Sequence, residues 1–155
     1  MAGEQVRLDP QVTGNVGLYF TCFQLSLRGW NVMPTARNAR GVDIVAYDAS
    51  ASRYIGIQVK SLSKRDAVPV GASLSKVMGD FWIIVNRIAT KPQAFVLFPE
   101  EVRRLSHCAK SGAGSFWLEA KDYDAEPFRD AWHRIGMGHS PAGLPECGRH
   151  LRVGP

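Results

Sequence analysis

Two rows of apolar residues run at helical spacing along residues 14–29, and this pattern predicts a helix. The first row holds Val16, Tyr19 or Phe20, Phe23 and Leu27, and the second holds Leu18, Cys22 and Leu25. Thr13 or Asn15 is the expected cap at its start, and Gly29 stands where a helix commonly ends. A helix with so wide an apolar surface is expected to be buried on two sides, between a sheet and either a second layer or a partner chain.

Short apolar runs bounded by turn residues predict strands along the rest of the chain. Strands are expected at 42–47, 54–61, 81–86, 94–98 and 115–118, after an extended start at 30–32; helices are expected at 99–110 and at 124–135, the latter with Phe128, Trp132 and Ile135 facing inward. Residues 61–76 are expected to form a polar loop with a short helical turn. This order favours the α/β (α+β) class, with a mixed central sheet flanked by helices. Residues 1–136 are expected to form a single domain, followed by a tail rich in Gly and Pro at 137–155.

Composition narrows the class of protein. The 155 residues are 45% hydrophobic and 10% aromatic, which supports a packed core and argues against disorder. No run of about 18 apolar residues occurs, and the first residues lack the pattern of a secretory signal, so we expect neither a membrane span nor export. Three scattered cysteines fit reduced thiols, and a cytoplasmic location is therefore expected. The formal net charge of +5 suits a polyanionic partner, although solubility explains such a surplus equally well.

The candidate chemistry lies in the segment GVDIVAYDASASRYIGIQVKS, which contains two neighbouring strands. Because side chains alternate along a strand, Gln58 and Lys60 share one face of the second strand. If DASASR forms a symmetric connection, Asp43 lies directly opposite Gln58, and Lys60 stands two residues further along. Opposite side chains have Cβ atoms about 5 Å apart, so a carboxylate, an amide and an ammonium converge there. The alternative is a solvated strand face on which Asp43 and Lys60 form a cross-strand ion pair.

The motifs GVD, with Asp43, and QVK, with Gln58 and Lys60, follow a helix in the order typical of one nuclease superfamily. In these motifs residues 14–98 resemble the PD-(D/E)xK nucleases, and a weaker similarity continues through Trp132. The resemblance implies a restriction-endonuclease-like fold. It also implies a nuclease that hydrolyses DNA phosphodiester bonds with Mg²⁺, or with Mn²⁺ in its place.

The resemblance further implies a role for each residue of the motif. Asp43 is the charged metal ligand, Gln58 offers its amide oxygen, and a backbone carbonyl near Val59 assists. Lys60 orients the attacking water or stabilises charge on the phosphorane. Small domains of this kind commonly work as homodimers, so that two sites reach both strands of DNA. The predicted first helix is then the candidate interface.

Two departures from the superfamily pattern bear on activity. Gln58 replaces the usual second acid, a Q-x-K variant that branches of the superfamily acting on homing sites and modified DNA also use. Leu18 follows Gly17 at the point where related sequences often place a glutamate that assists the metal. A catalytically weakened nuclease fold, which binds nucleic acid or a protein partner without cleavage, is therefore the alternative function. A purely structural or interaction domain is the third candidate function.

Basic residues flank the motif on both sides. Arg37 and Arg40 precede Asp43, and Lys64 and Arg65 follow Lys60, so these four residues are candidates for phosphate contacts. Solvated loops explain the same residues equally well. The only group in the tail that suggests zinc contains Cys147 and His150, and it lacks a second ligand pair of standard spacing, so zinc is not expected.

Overall fold

The computed structural model describes residues 7–36, 40–109 and 114–139, which fold as a mixed α/β structure. Within these ranges lie three α-helices, a five-stranded sheet and a three-stranded sheet. The α-helices are α1 (Pro10–Leu27), α2 (Pro99–Leu105) and α3 (Ala120–Tyr123). The strands are β1 (Asn31–Pro34), β2 (Ile44–Tyr47), β3 (Tyr54–Ser61), β4 (Val68–Gly71), β5 (Phe81–Asn86), β6 (Gln93–Leu97), β7 (His107–Cys108) and β8 (Phe116–Leu118); Leu74–Lys76 and Trp132–Arg134 form 3-10 helices. No helix in the described part of the chain combines the length and apolar character needed to cross a bilayer.

The five-stranded sheet has the strand order β1-β2-β3-β5-β6. Strands β3 and β5 run parallel and the other neighbours run antiparallel, so the sheet is mixed, as the sequence predicts. One face packs against α1 over a core that includes Leu25 and Ile57. The opposite face carries a second core, in which Trp82 meets Val102 of α2 and Leu118 of the small sheet. Strands β5 and β6 are apolar except for Asn86 and Gln93, because both faces of the sheet are covered there.

Strands β2 and β3 form a hairpin with the register that a symmetric DASASR connection predicts. The last pair of the hairpin ladder is Ile44 with Ile57. Asp48 holds the turn, because its carboxylate accepts hydrogen bonds from both the backbone amide and the hydroxyl of Ser52, each at 2.8 Å. A slip of one residue would move every side chain of the strand to the opposite face. The turn therefore decides which residues of β3 stand beside Asp43.

Helix α1 begins earlier than predicted, at Pro10, with Asp9 as its N-cap. The Asp9 carboxylate accepts a hydrogen bond from the backbone amide of Val12 at 2.9 Å. Proline suits the first helical position because its missing N–H would have no partner there. The prediction of a cap at Thr13 or Asn15 is therefore wrong, and both residues lie inside the helix.

One side of α1 is buried and the other is exposed. Thr21 and Leu25 are fully buried toward the sheet, whereas Tyr19, Phe23 and Leu27 are each more than half exposed. The predicted second layer over this helix is wrong for the described residues. The alternative that a partner chain covers it stays a prediction.

The C-terminal segment at 124–135 does not form the predicted helix. The carbonyl of Phe128 accepts a hydrogen bond from the amide of Val96, and the amide of Asp130 donates to the carbonyl of Ala94, each at 2.9 Å. The segment thus pairs with β6 at these two positions, and other amides bond within the segment in short turns, as the amide of Phe128 does to the carbonyl of Ala125 at 3.1 Å. The side chains predicted to face inward are buried: Phe128, Trp132 and Ile135.

The three-stranded sheet accounts for two further differences from the prediction. Its strand β4 lies within the segment that was expected to be a polar loop, and Val68 of β4 is buried opposite Leu118 of β8. Helix α2 ends at Leu105 and not at residue 110, because Ser106 is extended. The chain then enters β7, which pairs with β8. The short helical turn predicted in the segment before β5 is present as a 3-10 helix.

Candidate functional site

The candidate site lies where β2 separates from β3. The last residue pair between the two strands is Ile44 with Ile57. Beyond this point β3 continues to Ser61, and in the described structure it pairs there only with β5 on its opposite side. The edge of β3 from Gln58 onward is therefore open on the side that β2 leaves. Asp43 precedes β2 directly and lies at this opening.

Asp43 is held at the opening through one carboxylate oxygen. Its Oδ2 atom accepts hydrogen bonds from the backbone amide of Val59 at 2.7 Å and from Nε2 of Gln58 at 2.5 Å. The backbone amide of Asp43 donates to the carbonyl of Ile57 at 2.8 Å. The Asp43 side chain thus takes the place of a strand partner for Val59. The structure brings Asp43 and Gln58 together, as the hairpin register predicts.

Lys60 lies two residues further along β3, on the same face as Gln58. Its ammonium nitrogen is 5.4 Å from the centroid of the Trp82 ring, which is within cation–π range. Burial lowers the pKa of Lys60, and the negative charge of Asp43 acts in the opposite direction. Among the described residues Lys60 forms no ion pair, so the alternative of a cross-strand pair with Asp43 does not hold.

A cleft of about 240 Å³ opens beside Asp43, between α1 and the open edge of β3. The residues that line it are Gly14, Asn15 and Leu18 from α1, and Asp43, Val59, Lys60 and Ser61 from the sheet side. The two walls approach closely because Gly17 has no side chain: a methyl group there would overlap the hydroxyl of Ser61. The packing of Gly17 against β3 thus fixes the width of the cleft.

The cleft contains little to hold a metal ion tightly. Leu18 occupies its α1 wall, and Asp43 is the one carboxylate among its described lining residues. No group of three or more His, Cys, Asp or Glu side chains suited to a metal occurs within the described ranges. Mg²⁺ nevertheless binds through one or two carboxylates together with substrate phosphate, because it keeps several of its waters. Asp43 and the amide of Gln58 fit this mode of binding, and they do not form a complete cage.

The basic residues predicted to flank the site have different surroundings. Arg40 is exposed in the loop before β2. Lys64 is also exposed, with its ammonium 3.7 Å from the carboxylate of Asp66. The guanidinium of Arg65 forms an ion pair with Asp124, with 2.5 Å between Nε and Oδ2. Phosphate contacts by these residues stay predictions. Outside the described residues lie Arg37, Cys147 and His150.

Sequence reasoning missed that the first turns of α1 belong to the site. Gly14 and Asn15 line the cleft, although the sequence placed them at the start of the helix or before it. Asp9 followed by Pro10 is a helix-start signal that would have placed them correctly. The contribution of Ser61 had no signal of its own in the sequence, since it depends on how closely α1 approaches β3.

Comparison of the chain with models of protein families, with curated proteins and with solved structures gives no match. The resemblance to PD-(D/E)xK nucleases therefore depends on the motif residues alone.

Proposed function

We propose that this chain is a metal-dependent endonuclease that hydrolyses DNA phosphodiester bonds. The observation that carries the proposal is the hydrogen bond from the Gln58 amide to the Asp43 carboxylate where β2 separates from β3, with Lys60 two residues further along β3 on the same face as Gln58. Asp43 and Lys60 line the cleft of about 240 Å³, which leaves room for a phosphate group. A partly buried ammonium without an ion-pair partner among the described residues costs stability, which an anionic substrate would offset.

Each residue has a separate role in the proposed reaction. Asp43 supplies the charged ligand for Mg²⁺ or Mn²⁺, while the Gln58 amide and a backbone carbonyl near Val59 supply neutral oxygens. An ion held by these oxygens would supply Lewis-acid chemistry, which would polarise the phosphoryl group and lower the pKa of a bound water. Lys60 donates hydrogen bonds to the phosphate oxygens or to the attacking water, where negative charge develops in the transition state.

DNA is the proposed partner because the charge balance and the position of the exposed cations favour a polyanion. The chain carries a formal charge of +5. Arg40 and Lys64 are exposed on the two segments that lead into and out of the site. Contacts of such residues with phosphates release condensed counterions, so the proposal implies binding that weakens as salt concentration rises.

A second candidate function is a nuclease fold that binds nucleic acid or a protein without cutting. One observation favours it: Leu18 lines the cleft, so an apolar side chain stands where a further carboxylate would strengthen a metal site. Under this candidate, salt-sensitive DNA binding survives Asp43→Ala, because the cations and not the carboxylate provide the affinity.

Incubation of supercoiled plasmid and single-stranded DNA with the purified protein in Mg²⁺, Mn²⁺ or EDTA tests the proposal. The endonuclease predicts nicked and linear plasmid with metal only. It also predicts a loss of about 100-fold or more in Asp43→Asn, which keeps the size of the side chain. No cleavage with either metal, together with salt-sensitive binding, supports the binding module instead. If the protein neither cleaves nor binds DNA, both candidate functions are contradicted and a structural role is left.

A further inference from the structure

The outer face of α1 is apolar and open to solvent. Its three largest exposed side chains are Tyr19, Phe23 and Leu27, with 63%, 58% and 63% of their surface accessible. A helix on the surface of a globular protein normally turns charged residues outward. In α1, however, no residue from Pro10 to Leu27 is Asp, Glu, Lys or Arg. Burial of this face against another apolar surface is therefore favourable and removes no charge of the helix from water.

The apolar positions on this face are symmetric about the middle of the helix. They recur every three or four residues, which keeps the side chains in one stripe, as in the seam of a coiled coil. The stripe consists of Val12, Val16, Tyr19, Phe20, Phe23 and Leu27. Each of its residues has an apolar counterpart at the same distance on the other side of the midpoint between Tyr19 and Phe20. A two-fold dimer uses one patch on both subunits, so it requires such self-matching, whereas a different partner protein does not.

The area of the stripe is sufficient for a reversible dimer. An aromatic side chain has about 200 Å² of surface, so Tyr19 and Phe23 alone expose roughly 250 Å² per copy. With the aliphatic residues and the polar flanks of the stripe, antiparallel pairing buries on the order of 1,000 Å² in total, which is the lower end for specific interfaces. We therefore expect a dissociation constant of about 1–10 µM.

We propose that α1 pairs with α1 of a second copy of this chain, antiparallel and about a two-fold axis at the midpoint between Tyr19 and Phe20. Val12 then lies at the height of Leu27 of the partner subunit, and Val16 lies at the height of the partner subunit's Phe23. Apolar side chains thus meet along the whole length of the pair.

This pairing places both candidate sites on one flank of the two helices. Asn15 lines the cleft beside Asp43 and lies a quarter turn from the middle of the stripe. Because the two-fold axis is perpendicular to both helices and passes out through their flanks, the two copies of Asn15 share a flank, roughly 14 Å apart along the helices. Two clefts on one flank can face a single DNA duplex. This consequence rests on the proposed function, whereas the dimer itself does not.

Sedimentation of the full chain at about 1–100 µM, in EDTA and without DNA, measures the dimer. Phe23→Glu places a charge near the centre of the pair and is expected to raise the dissociation constant by about 30-fold or more. Tyr54→Glu is the matched control and should leave the constant unchanged. Tyr54 is also about half exposed, and it lies on the face of the sheet opposite to Ile55, which packs toward α1. Circular dichroism checks that both variants fold.

A mixture of two variants tests the antiparallel register. Val12→Glu and Leu27→Lys suit the ends of α1, because the helix dipole favours an acid in the first turn and a base in the last. Alone, each is expected to weaken the dimer about tenfold, since it sets two charges against apolar side chains. Mixed in equal amounts, the variants form a heterodimer with one carboxylate–ammonium pair and one unaltered apolar pair. Its affinity is expected to recover to within about threefold of wild type.

A wild type that stays monomeric at about 100 µM would overturn the inference and leave this face to residues 140–155 or to a different protein. A dimer that Phe23→Glu leaves intact, or a mixture that associates no more tightly than its components, would overturn it as well. If Phe23→Glu does not fold, the mixture decides, since both of its substitutions are at exposed positions.

The outcomes are separate from those of the endonuclease proposal. The residues proposed to hold the metal ion all come from one chain, so variants that separate the copies should keep the metal requirement of wild type. A dimer without cleavage supports this inference and contradicts the endonuclease; cleavage by a monomer does the reverse.

Discussion

The carboxylate of Asp43 accepts a hydrogen bond from the backbone amide of Val59 at 2.7 Å, across the point where β2 separates from β3. A strand edge normally leaves such an amide to water or to a partner strand. Here the side chain of Asp43 fills that position, and the hydrogen bond places a negative charge directly beside β3. Asp43→Asn keeps an acceptor oxygen for Val59 and removes the charge. It therefore distinguishes a loss of catalysis from a loss of folding better than Asp43→Ala does.

Gln58→Glu should make the stability of the protein depend on metal. Gln58 donates to Asp43 at 2.5 Å, so a glutamate there brings two carboxylates together. We expect a lower melting temperature in EDTA, because like charges repel, and a larger increase with Mg²⁺ or Mn²⁺ than wild type shows. Gln93→Glu is the matched control, since Gln93 donates to Asp130 at 2.6 Å away from the site. Equal metal-induced shifts in the two variants would count against a metal site at Asp43.

Leu18→Glu should strengthen the metal site. Leu18 lines the cleft together with Asp43, so a carboxylate at position 18 adds a hard oxygen ligand where the described lining has one carboxylate. We expect half-maximal plasmid cleavage at a metal concentration about tenfold lower than wild type requires. Leu27→Glu on the exposed side of the same helix controls for added charge. An unchanged metal requirement in Leu18→Glu would mean that α1 does not contribute to the site.

Gly17→Ala should destabilise the fold through Ser61. The added methyl group would overlap the Ser61 hydroxyl and lie 2.7 Å from its Cβ atom. Overpacking of this kind costs about 1–3 kcal/mol in the free energy of unfolding, measured by urea denaturation. Gly14→Ala, with nothing within 4 Å of the new methyl group, should instead stabilise α1 by about 0.5–1 kcal/mol. Ser61→Gly should recover part of the loss in the double variant, and additive losses would refute the contact.

Asp48→Asn should make the free energy of unfolding less dependent on pH in the acid range. Hydrogen bonds to Asp48, above all from the Ser52 hydroxyl, lower the pKa of Asp48 below its ordinary value of 3.8. A lowered carboxyl pKa contributes stability that is present above the ordinary value and is lost as pH falls through the lower folded value. Urea unfolding of wild type from about pH 7 to about pH 2 should therefore show a steeper acid loss than Asp48→Asn. Parallel curves would contradict this role, and Ser52→Ala should give an intermediate curve.

The hairpin could be predicted from the sequence because residues close together in the chain determine it. Alternation along β3 and the turn residues around Asp48 fix which side chains face one another, and the strand bounds of β3 agree with those predicted. The same reasoning put Asp43 beside Gln58, and the hydrogen bond between them follows from that register.

The remaining differences arise from contacts between distant segments. The segment around Phe128 has an amphipathic pattern that fits a helix, but its backbone pairs with β6, and no local signal reports such pairing. The approach of α1 to Ser61 is similarly a property of packing. The sequence therefore predicted the positions of Asp43, Gln58 and Lys60, and the structure was needed to show that α1 forms the other wall of the cleft.

The rate of plasmid nicking by Lys60→Ala in Mg²⁺ tests the central claim most directly. Lys91→Ala is the matched control, because Lys91 is exposed in the turn between β5 and β6. The account predicts a loss of about 100-fold or more for Lys60→Ala, with DNA binding largely retained, and an unchanged rate for Lys91→Ala. Metal-dependent nicking at the wild-type rate by purified Lys60→Ala would contradict the claim that Asp43, Gln58 and Lys60 form the catalytic site.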